Sequence, residues 1–375
     1  MTLWIALALG SALLLLIPWA LYPWLAIRLA GSRGTEPAGS REPQETLSIV
    51  LATREPPKAV RARLEDLLAG SWPAGRLDLV VGVDGDPEPY RFDGLVPAPN
   101  RLVVVAGDPP GGKASALNAA MRAVVTELVV CTDTQQRFAP DAITRLVAAL
   151  DHPRFGAVSG ALRLGNEADP ESLLGRYWSA ERRLRAAEAR LHSTIGVSGS
   201  IYAMRRSLWT PLPAGLILDD LWIPMRLVLG GHRVGFEPGA EASDIRTTTP
   251  GKEFERKVRT LTGNLQLIAW MPAVLLPWRN PVWLQFVCHK LLRLATPYAL
   301  AGLGLGGLGA AFTASSPMGW ALLAAALLLG LVALVWRTGP GRRLRHGLEW
   351  VLSMQGAILV ATWHGIRGEW NVWKR

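Results

Sequence analysis

The chain has 375 residues, a formal net charge of +10 and an apolar fraction of 50%. This length allows one large domain or two smaller ones. The positive charge fits a protein that lies against anionic lipid and handles an anionic substrate. No module of interleaved basic and aromatic residues is present, so a nucleic-acid partner is not expected. The two cysteines, Cys131 and Cys288, have no partner at metal-ligand spacing, which argues against a disulfide framework or a cysteine metal site.

Two long runs contain no charged residue, one from Met1 to Ile27 and one from Leu294 to Trp336. A bilayer core about 30 Å thick is crossed by about 20 helical residues. We therefore expect one transmembrane helix in residues 1–30 and two in residues 294–336. The first run lacks a positive start and is too long for the core of a secretory signal.

Basic residues follow both apolar runs. Arg28 and Arg33 come after the first, and Arg337, Arg342, Arg343 and Arg345 come after the second. Because basic flanks stay on the cytoplasmic side, we expect residues 31–290 to lie inside the cell. The predicted location is a bacterial-type inner membrane, with several crossings and a cytoplasmic catalytic domain.

Residues 31–46 read as a linker, and residues 47–262 alternate between strand and helix patterns. Strands are predicted at 47–52, 77–85, 101–107 and 127–133, and helices at 59–70, 113–125 and 140–150. This order predicts an α/β fold with a mostly parallel sheet covered by helices on both faces. Such sheets bind ligands at the carboxyl ends of their strands.

The rest of the chain is less regular. A polar helix is expected at 170–191, and a helix at 218–234 that is interrupted by Pro224. Tryptophan-rich interfacial helices are expected at 263–293. Residues 337–375 hold a basic loop, a further membrane or re-entrant helix and a tail. The uncharged run 350–366 within this segment could cross the membrane, re-enter or lie flat.

Three features at predicted strand ends suit an activated sugar. Asp84 can accept a hydrogen bond from a ribose hydroxyl or a base N–H. The Gly-rich loop 107–118 enters a helix with Lys113 at its mouth, where backbone N–H groups and a lysine suit phosphate oxygens. Asp133 follows the fourth strand, but Gln135 stands where a second acid would complete a pair of metal ligands. The residues alone allow either a metal site or an ordinary polar turn.

Asp219 and Asp220 are adjacent at a predicted helix start. Neighbouring carboxylates point in different directions on a helix, so they would serve different tasks. Repulsion between them would raise the pKa of one, which suits a general base. A solvated first turn of a helix explains the pair equally simply.

The order of these features resembles the membrane-embedded inverting glycosyltransferases of the cellulose synthase, hyaluronan synthase and poly-N-acetylglucosamine synthase type, over nearly the whole chain. The run 112–118, Gly-Lys-Ala-Ser-Ala-Leu-Asn, matches a loop of that family. Asp133-Thr134-Gln135 falls on its Asp-x-Asp metal motif, and Asp219-Asp220 on its Glu-Asp base motif. Residues 256–260 fall on its Gln-x-x-Arg-Trp motif, of which only Arg259 is kept.

The resemblance implies a GT-A fold and a set of roles. Asp220 would be the general base, and Asp133 would bind a divalent metal, Mg²⁺ or Mn²⁺. The donor nucleotide would be held by Thr53, Glu55, Asp84, Lys113, Asp133 and Arg259. The acceptor would be held by Gly199, Ser200, Asp219 and Arg256.

The implied reaction moves a sugar, with inversion, from a nucleotide-diphosphate donor, expected to be a UDP-sugar, to a growing polysaccharide or another membrane-associated acceptor. The alternative is a lipid glycosyltransferase that adds one sugar to a polyprenyl phosphate or a glycolipid. A third hypothesis is a non-catalytic subunit that binds sugar nucleotides, because Gln135 and the motif at 256–260 depart from the family. Three crossings are few for a conduit, so an oligomer or an export partner is expected.

Overall fold

The computed structural model of the chain describes residues 1–32, 45–70, 72–73, 75–164, 173–244, 250–314, 320–321, 324, 328 and 339–371. The chain forms two compact units. The helical unit comprises Met1–Leu25, Thr249–Leu265 and Leu284–Glu369. The sheet unit comprises Ala26–Thr248, Gln266–Trp283 and Trp370–Arg375. Most of the predicted linker, residues 33–44, lies outside the described residues.

Eight strands and five helices make up the described part of the sheet unit, apart from the ends of helices that continue into the helical unit. The strands are β1 (Leu47–Thr53), β2 (Leu77–Val83), β3 (Leu102–Ala106), β4 (Leu128–Thr132), β5 (Gln136–Phe138), β6 (Phe155–Leu164), β7 (Ile201–Arg205) and β8 (Arg233–Asp244). The helices are α2 (Pro57–Leu68), α3 (Lys113–Ala123), α4 (Ala142–Leu150), α5 (Leu173–Leu191) and α6 (Asp219–Leu229).

The sheet is mixed, with strand order β3-β2-β1-β4-β7-β6-β8-β5. The first four strands in this order are parallel, as predicted. The other half is mixed. Strands β6 and β8 are parallel, whereas β7 is antiparallel to both β4 and β6, and β5 is antiparallel to β8, so the prediction of a mostly parallel sheet does not hold there. Ile201 begins β7 beside Thr132, at the carboxyl end of β4. A strand that starts at that edge can only run back along its neighbour.

The side chains of the parallel strands alternate between two faces. Ile49 and Leu51 in β1 belong to one buried cluster with Leu64 of α2 and Leu146 of α4. Helix α3 packs against the opposite face. A Cβ atom on Gly82 would overlap the backbone carbonyl of Ala116 in α3, so only glycine allows this approach. The close contact fixes the first turn of α3 at the carboxyl edge of the sheet.

The helical unit contains the N-terminal helix α1 (Thr2–Gly31) through Leu25, and the helices α8 (Trp283–Leu294), α9 (Thr296–Ala314) and α10 (Gly339–Arg367). Helix α7 (Pro250–Trp270) begins in this unit and ends in the sheet unit. Three glycines of α9 lie directly against α1. Gly302 meets Ser11, Gly306 meets the backbone of Ala8, and Gly309 meets Trp4. The pairing runs in opposite chain directions, so α1 and α9 are antiparallel.

Among the described residues, Thr2–Gly31 is the one helix with the length and composition to cross a membrane. Trp283–Leu294 and Thr296–Thr313 satisfy the same criterion only as a pair, and they meet at 61°. The second crossing predicted in residues 294–336 falls mostly outside the described residues. The run 350–366 lies within α10. The described helices therefore do not show the multi-pass arrangement that the sequence predicted.

Candidate functional site

Lys113 lies between two carboxylates at the carboxyl edge of the sheet. Its Nζ atom is 3.1 Å from Oδ1 of Asp133, which follows β4, and 3.3 Å from Oδ2 of Asp219, which begins α6. The preceding Gly111 and Gly112 have φ angles of +87° and +93°. Glycine adopts this left-handed region without strain, which lets the loop turn sharply into α3 and place Lys113 at the first position of the helix.

Three carboxylates govern the protonation of Lys113. Burial lowers its pKa, but the charges of Asp133, Asp219 and Asp220 outweigh burial and raise the pKa above its ordinary value. The side chain therefore remains an ammonium group at physiological pH. The site holds a permanent positive charge at the place where an anionic substrate group can approach.

The loop before β7 connects Asp133, Asp220 and Lys113. Ser200 donates a hydrogen bond of 3.1 Å from Oγ to Oδ2 of Asp133. A Cβ atom on Gly199 would lie 3.3 Å from Cβ of Asp220 and 3.7 Å from Nζ of Lys113. The structure thus brings Gly199 and Ser200 together with the four charged residues. Any larger side chain at position 199 would crowd this space.

Pro224 shapes the backbone around Asp220. The sequence predicted that Pro224 would interrupt the helix, and this is wrong, because α6 continues from Asp219 to Leu229. Proline has no N–H group, so the carbonyl of Asp220 lacks its usual donor four residues on. The backbone N–H of Val197 donates to that carbonyl instead, at 2.8 Å. This bond ties the loop that contains Gly199 to the first turn of α6.

Asp84 lies beside the Gly-rich loop, and its Oδ1 accepts a hydrogen bond of 2.6 Å from the backbone N–H of Gly112. The residue next to Gly112 is Lys113, so Asp84 and Lys113 flank the same turn. One oxygen of Asp84 therefore stabilises the Gly-rich loop at its entry into α3. The role of Asp84 toward a nucleoside remains a prediction.

Thr53 and Glu55 form the turn after β1. Oγ1 of Thr53 accepts hydrogen bonds from Thr134 at 2.8 Å and from the backbone N–H of Glu55 at 3.0 Å. The amide of Gln135 donates to the carboxylate of Glu55. The position of the missing second acid is therefore occupied by an amide that faces Glu55, and the turns after β1 and β4 are linked.

Sequence reasoning missed Arg185, a half-buried residue of α5. Its Nη2 donates to the carbonyl of Gly196 at 3.0 Å and to Oγ of Ser159 at 3.1 Å. Burial lowers the pKa of Arg185, and the charges of Glu181, Glu188 and Asp220 oppose that shift. Arg185 therefore supports the loop before Gly199 from behind. The arginine-rich pattern of α5 gives no signal that distinguishes this arginine from its neighbours.

Arg256 and Arg259 lie on the part of α7 that belongs to the helical unit. Arg256 is hydrogen-bonded to Glu253 at 3.0 and 3.1 Å. Their expected roles toward the acceptor and the donor remain predictions.

The protein itself offers few ligands for a metal. Within the part of the chain that the structure describes, no three His, Cys, Asp or Glu side chains are grouped to hold an ion. Asp133 supplies one carboxylate, and Gln135 supplies an amide oxygen nearby in the chain. Mg²⁺ and Mn²⁺ prefer oxygen ligands, and Mg²⁺ is commonly held by one or two carboxylates together with substrate phosphates. The donor set fits an ion that is completed by a diphosphate rather than one held by protein alone.

The chain is similar to a known protein family, to curated proteins and to solved structures. The family described as "Glycosyltransferase like family 2" matches residues 43–263. An N-acetylglucosaminyltransferase of Mesorhizobium japonicum is 26% identical over 247 residues, covering 60% of this chain and 57% of the relative. A poly-β-1,6-N-acetyl-D-glucosamine synthase of Staphylococcus aureus is 24% identical over 166 residues, covering 42% of this chain and 40% of the relative. The matches thus span 57% of the first relative's length and 40% of the second's.

Among solved structures, the mannosyltransferase PcManGT of Pyrobaculum calidifontis, in complex with GDP-Man and Mn²⁺, has a TM-score of 0.71 at 22% identity. The match covers 98% of this chain and 99% of that protein. The likeness establishes a GT-A-like α/β fold with a mixed sheet.

Proposed function

Because the chain belongs to glycosyltransferase family 2, we propose that it is an inverting enzyme that transfers a sugar from a nucleotide-diphosphate donor to an acceptor hydroxyl. The observation that carries this proposal is the cluster around Lys113, whose ammonium group contacts Asp133 and Asp219 while Gly199 lies between it and Asp220. A fixed cation, a candidate metal ligand and a candidate base meet at the strand ends where such sheets bind ligands.

The proposed donor is UDP-N-acetylglucosamine or a related UDP-sugar. The names of the relatives from Mesorhizobium japonicum and Staphylococcus aureus favour N-acetylglucosamine. Asp84 and the turn at Thr53 and Glu55 would hold the nucleoside, and Lys113 would contact the diphosphate.

In the proposed reaction, a carboxylate oxygen of Asp220 takes the proton from the acceptor hydroxyl. The hydroxyl oxygen attacks the anomeric carbon while the bond to the diphosphate breaks on the opposite face, so one displacement inverts the configuration. Lys113 stabilises the negative charge that develops on the leaving diphosphate. A divalent ion on Asp133 would contribute further charge stabilisation when bound. Gly199, Ser200 and Asp219 would border the acceptor.

We also propose that the protein acts at a membrane. Small residues on α9 let it pack closely against α1, as in pairs of membrane helices. Trp19 of α1 donates to Oγ1 of Thr296 at 3.1 Å, and the guanidinium of Arg293 lies 4.7 Å from the Trp19 ring centroid. Tryptophan and arginine at one end of a helix pair are typical of a membrane interface. The proposed acceptor is a polysaccharide or a lipid at that surface.

The test uses the purified full chain with a panel of nucleotide sugars and measures released nucleoside diphosphate. Asp220→Asn should lower turnover by about 10²–10⁴-fold, because general-base catalysis contributes about that much, while donor affinity stays nearly unchanged. Glu65→Gln removes an exposed carboxylate on α2 and serves as the control.

Wild-type turnover by Asp220→Asn would overturn the base assignment. Donor binding without turnover by the wild type would favour the non-catalytic subunit. Product analysis then separates the two acceptor classes, since a polymerase gives a ladder of chain lengths and a lipid glycosyltransferase gives one discrete glycolipid.

A further inference from the structure

A cavity of about 570 Å³ lies in the sheet unit beside the candidate site. It is bounded by the loop between β7 and α6, by α6 itself and by the last residue of α7, Trp270. Its volume falls within the roughly 300–1,000 Å³ of small-molecule pockets.

The cavity extends along the helix that carries the candidate base. Trp222 and Arg226 line it, and they follow Asp219 at three and seven residues. Residues with this spacing lie on one face of a helix. Trp222 is displaced from Asp219 by about 4.5 Å along the helix axis, at about 1.5 Å per residue. The cavity therefore begins one turn beyond the contact between Asp219 and Lys113.

The walls are held by paired hydrogen bonds. Asn118 of α3 donates to the carbonyl of Leu212 at 2.9 Å and accepts from its N–H at 2.8 Å. The buried Gln266 of α7 accepts from the N–H of Ile217 at 2.8 Å and donates to the carbonyl of Gly215 at 2.9 Å. These bonds fix the loop before α6 at both ends. A pocket that is already formed costs little ordering when a ligand enters.

The cavity lining includes two aromatic side chains and one cationic side chain. Trp222 and Trp270 offer aromatic surface, to which the C–H face of a sugar ring can pack. Arg226 is exposed, and its guanidinium makes no hydrogen bond or ion pair with the described residues. None of the described residues that line the cavity is acidic. A planar guanidinium binds carboxylate or phosphate through two parallel hydrogen bonds.

We propose that this cavity is an acceptor subsite for a sugar that carries an anionic group, either a carboxylate or a phosphate, which Arg226 binds while the two tryptophans contact the ring. The inference rests on the proposed function and narrows its acceptor to an anionic saccharide. A neutral glycan would leave Arg226 without a counter-charge.

The test is calorimetric titration of the full chain with three probes: methyl β-D-glucuronide, glucose 6-phosphate and neutral methyl β-D-glucoside. We expect at least one charged probe to bind at least about tenfold more tightly than the neutral one, as charge-assisted bonds imply. Comparison of the two charged probes distinguishes a carboxylate from a phosphate. Arg226→Gln, which keeps the size of the side chain and removes its charge, should abolish the preference.

Arg101→Gln is the matched control, because Arg101 is exposed just before the edge strand β3 and is not part of the cavity lining. Circular dichroism melting checks that both variants fold. The subsite is overturned if the wild type binds all three probes equally or binds none, if Arg226→Gln keeps the preference, or if Arg101→Gln also loses it. A parallel titration of the wild type with UDP-N-acetylglucosamine tests the proposed donor separately from the acceptor subsite. If this nucleotide sugar does not bind, the proposed donor is wrong, whatever the three probes show.

Discussion

Lys113 and Asp133 have separate predicted roles but contact each other in the structure. The Gly-rich loop predicts that Lys113 binds phosphate, and the motif at 133–135 predicts that Asp133 binds a metal. The structure pairs them at 3.1 Å, with exposed fractions of 29% and 34% for the two side chains. Lys113 is also held by the charges of Asp219 and Asp220, which remain when a donor diphosphate takes the place of Asp133. Such an exchange would release Asp133 for a metal.

Gln135 gives a prediction at this scale. Gln135→Asp would restore a second carboxylate, and we expect the affinity for Mn²⁺ in the presence of UDP to rise by about tenfold, since charge count tunes affinity at such sites. The spectroscopic signal of free Mn²⁺ measures this affinity without any need for turnover. Asp133→Asn should weaken the same binding.

An unchanged Mn²⁺ affinity in Gln135→Asp would show that position 135 does not face the ion. Loss of the hydrogen bond from Gln135 to Glu55 could itself disturb the protein. Gln135→Glu, a longer acid, therefore serves as the second variant, and melting curves report its fold.

At the scale of elements, α6 carries the candidate base and also holds the loop before β7 in place. Its second residue is Asp220, and its sixth, Pro224, leaves the Asp220 carbonyl to Val197. Because of Pro224, the Asp220 carbonyl has no donor within the helix and accepts instead from the loop before β7. The loop so held carries Gly199 and Ser200, which contact the charged residues.

Pro224→Ala would restore an N–H group that competes with Val197 for the Asp220 carbonyl. We expect the protein to gain stability, up to about 3 kcal/mol, because proline disfavours helix interiors by about that amount. Turnover should fall by about 10- to 100-fold, because small displacements in an active site are costly. Melting curves and initial rates measure the two effects.

Pro153→Ala, in an exposed turn before β6, is the control for loss of a proline and should leave turnover unchanged. A Pro224→Ala protein with full activity would mean that the bond from Val197 does not position the loop for catalysis.

At the scale of the whole molecule, the chain forms two units with different packing rules. The core of the sheet unit consists of interdigitating apolar side chains. In the helical unit, glycines bring the backbones of α1 and α9 into contact, while many apolar side chains of α1, such as Leu3 at 77% and Leu9 at 66%, stay exposed. Close packing through small residues beneath an apolar exterior is typical of membrane helices.

Gly306 and Gly304 offer a paired test of this packing. A Cβ atom on Gly306 would lie 2.6 Å from the backbone nitrogen of Ala8, whereas one on Gly304 meets nothing within 4 Å. Gly306→Leu should destabilise the detergent-solubilised protein by about 1–3 kcal/mol, as overpacking does, and Gly304→Leu should have little effect. Thermal melting compares the two. Equal melting temperatures would contradict the contact between α1 and α9.

The sequence by itself determined the local features. Alternation of strand and helix patterns predicted the α/β class and the four parallel strands. The hydrophobic pattern of a buried strand or an amphipathic helix is complete within a short stretch of sequence. The motifs at 112–118, 133–135 and 219–220 indicated a glycosyltransferase, and the match over residues 43–263 places the chain in family 2. The membrane-embedded, inverting character of the resembled enzymes stays a prediction. The roles of the site residues remain predictions.

The tertiary structure alone decided which distant residues meet. The reversed direction of β7, the contact of Lys113 with Asp133 and Asp219, the support by Arg185 and the cavity at Trp222 and Arg226 all join segments far apart in the chain. Pro224 is the clearest case, because its missing N–H predicts a break in the helix, whereas the N–H of Val197, 27 residues before Pro224 in the chain, pairs with the Asp220 carbonyl and the helix continues. A sequence pattern reports the preference of one segment, whereas a contact depends on where the fold brings the other partner.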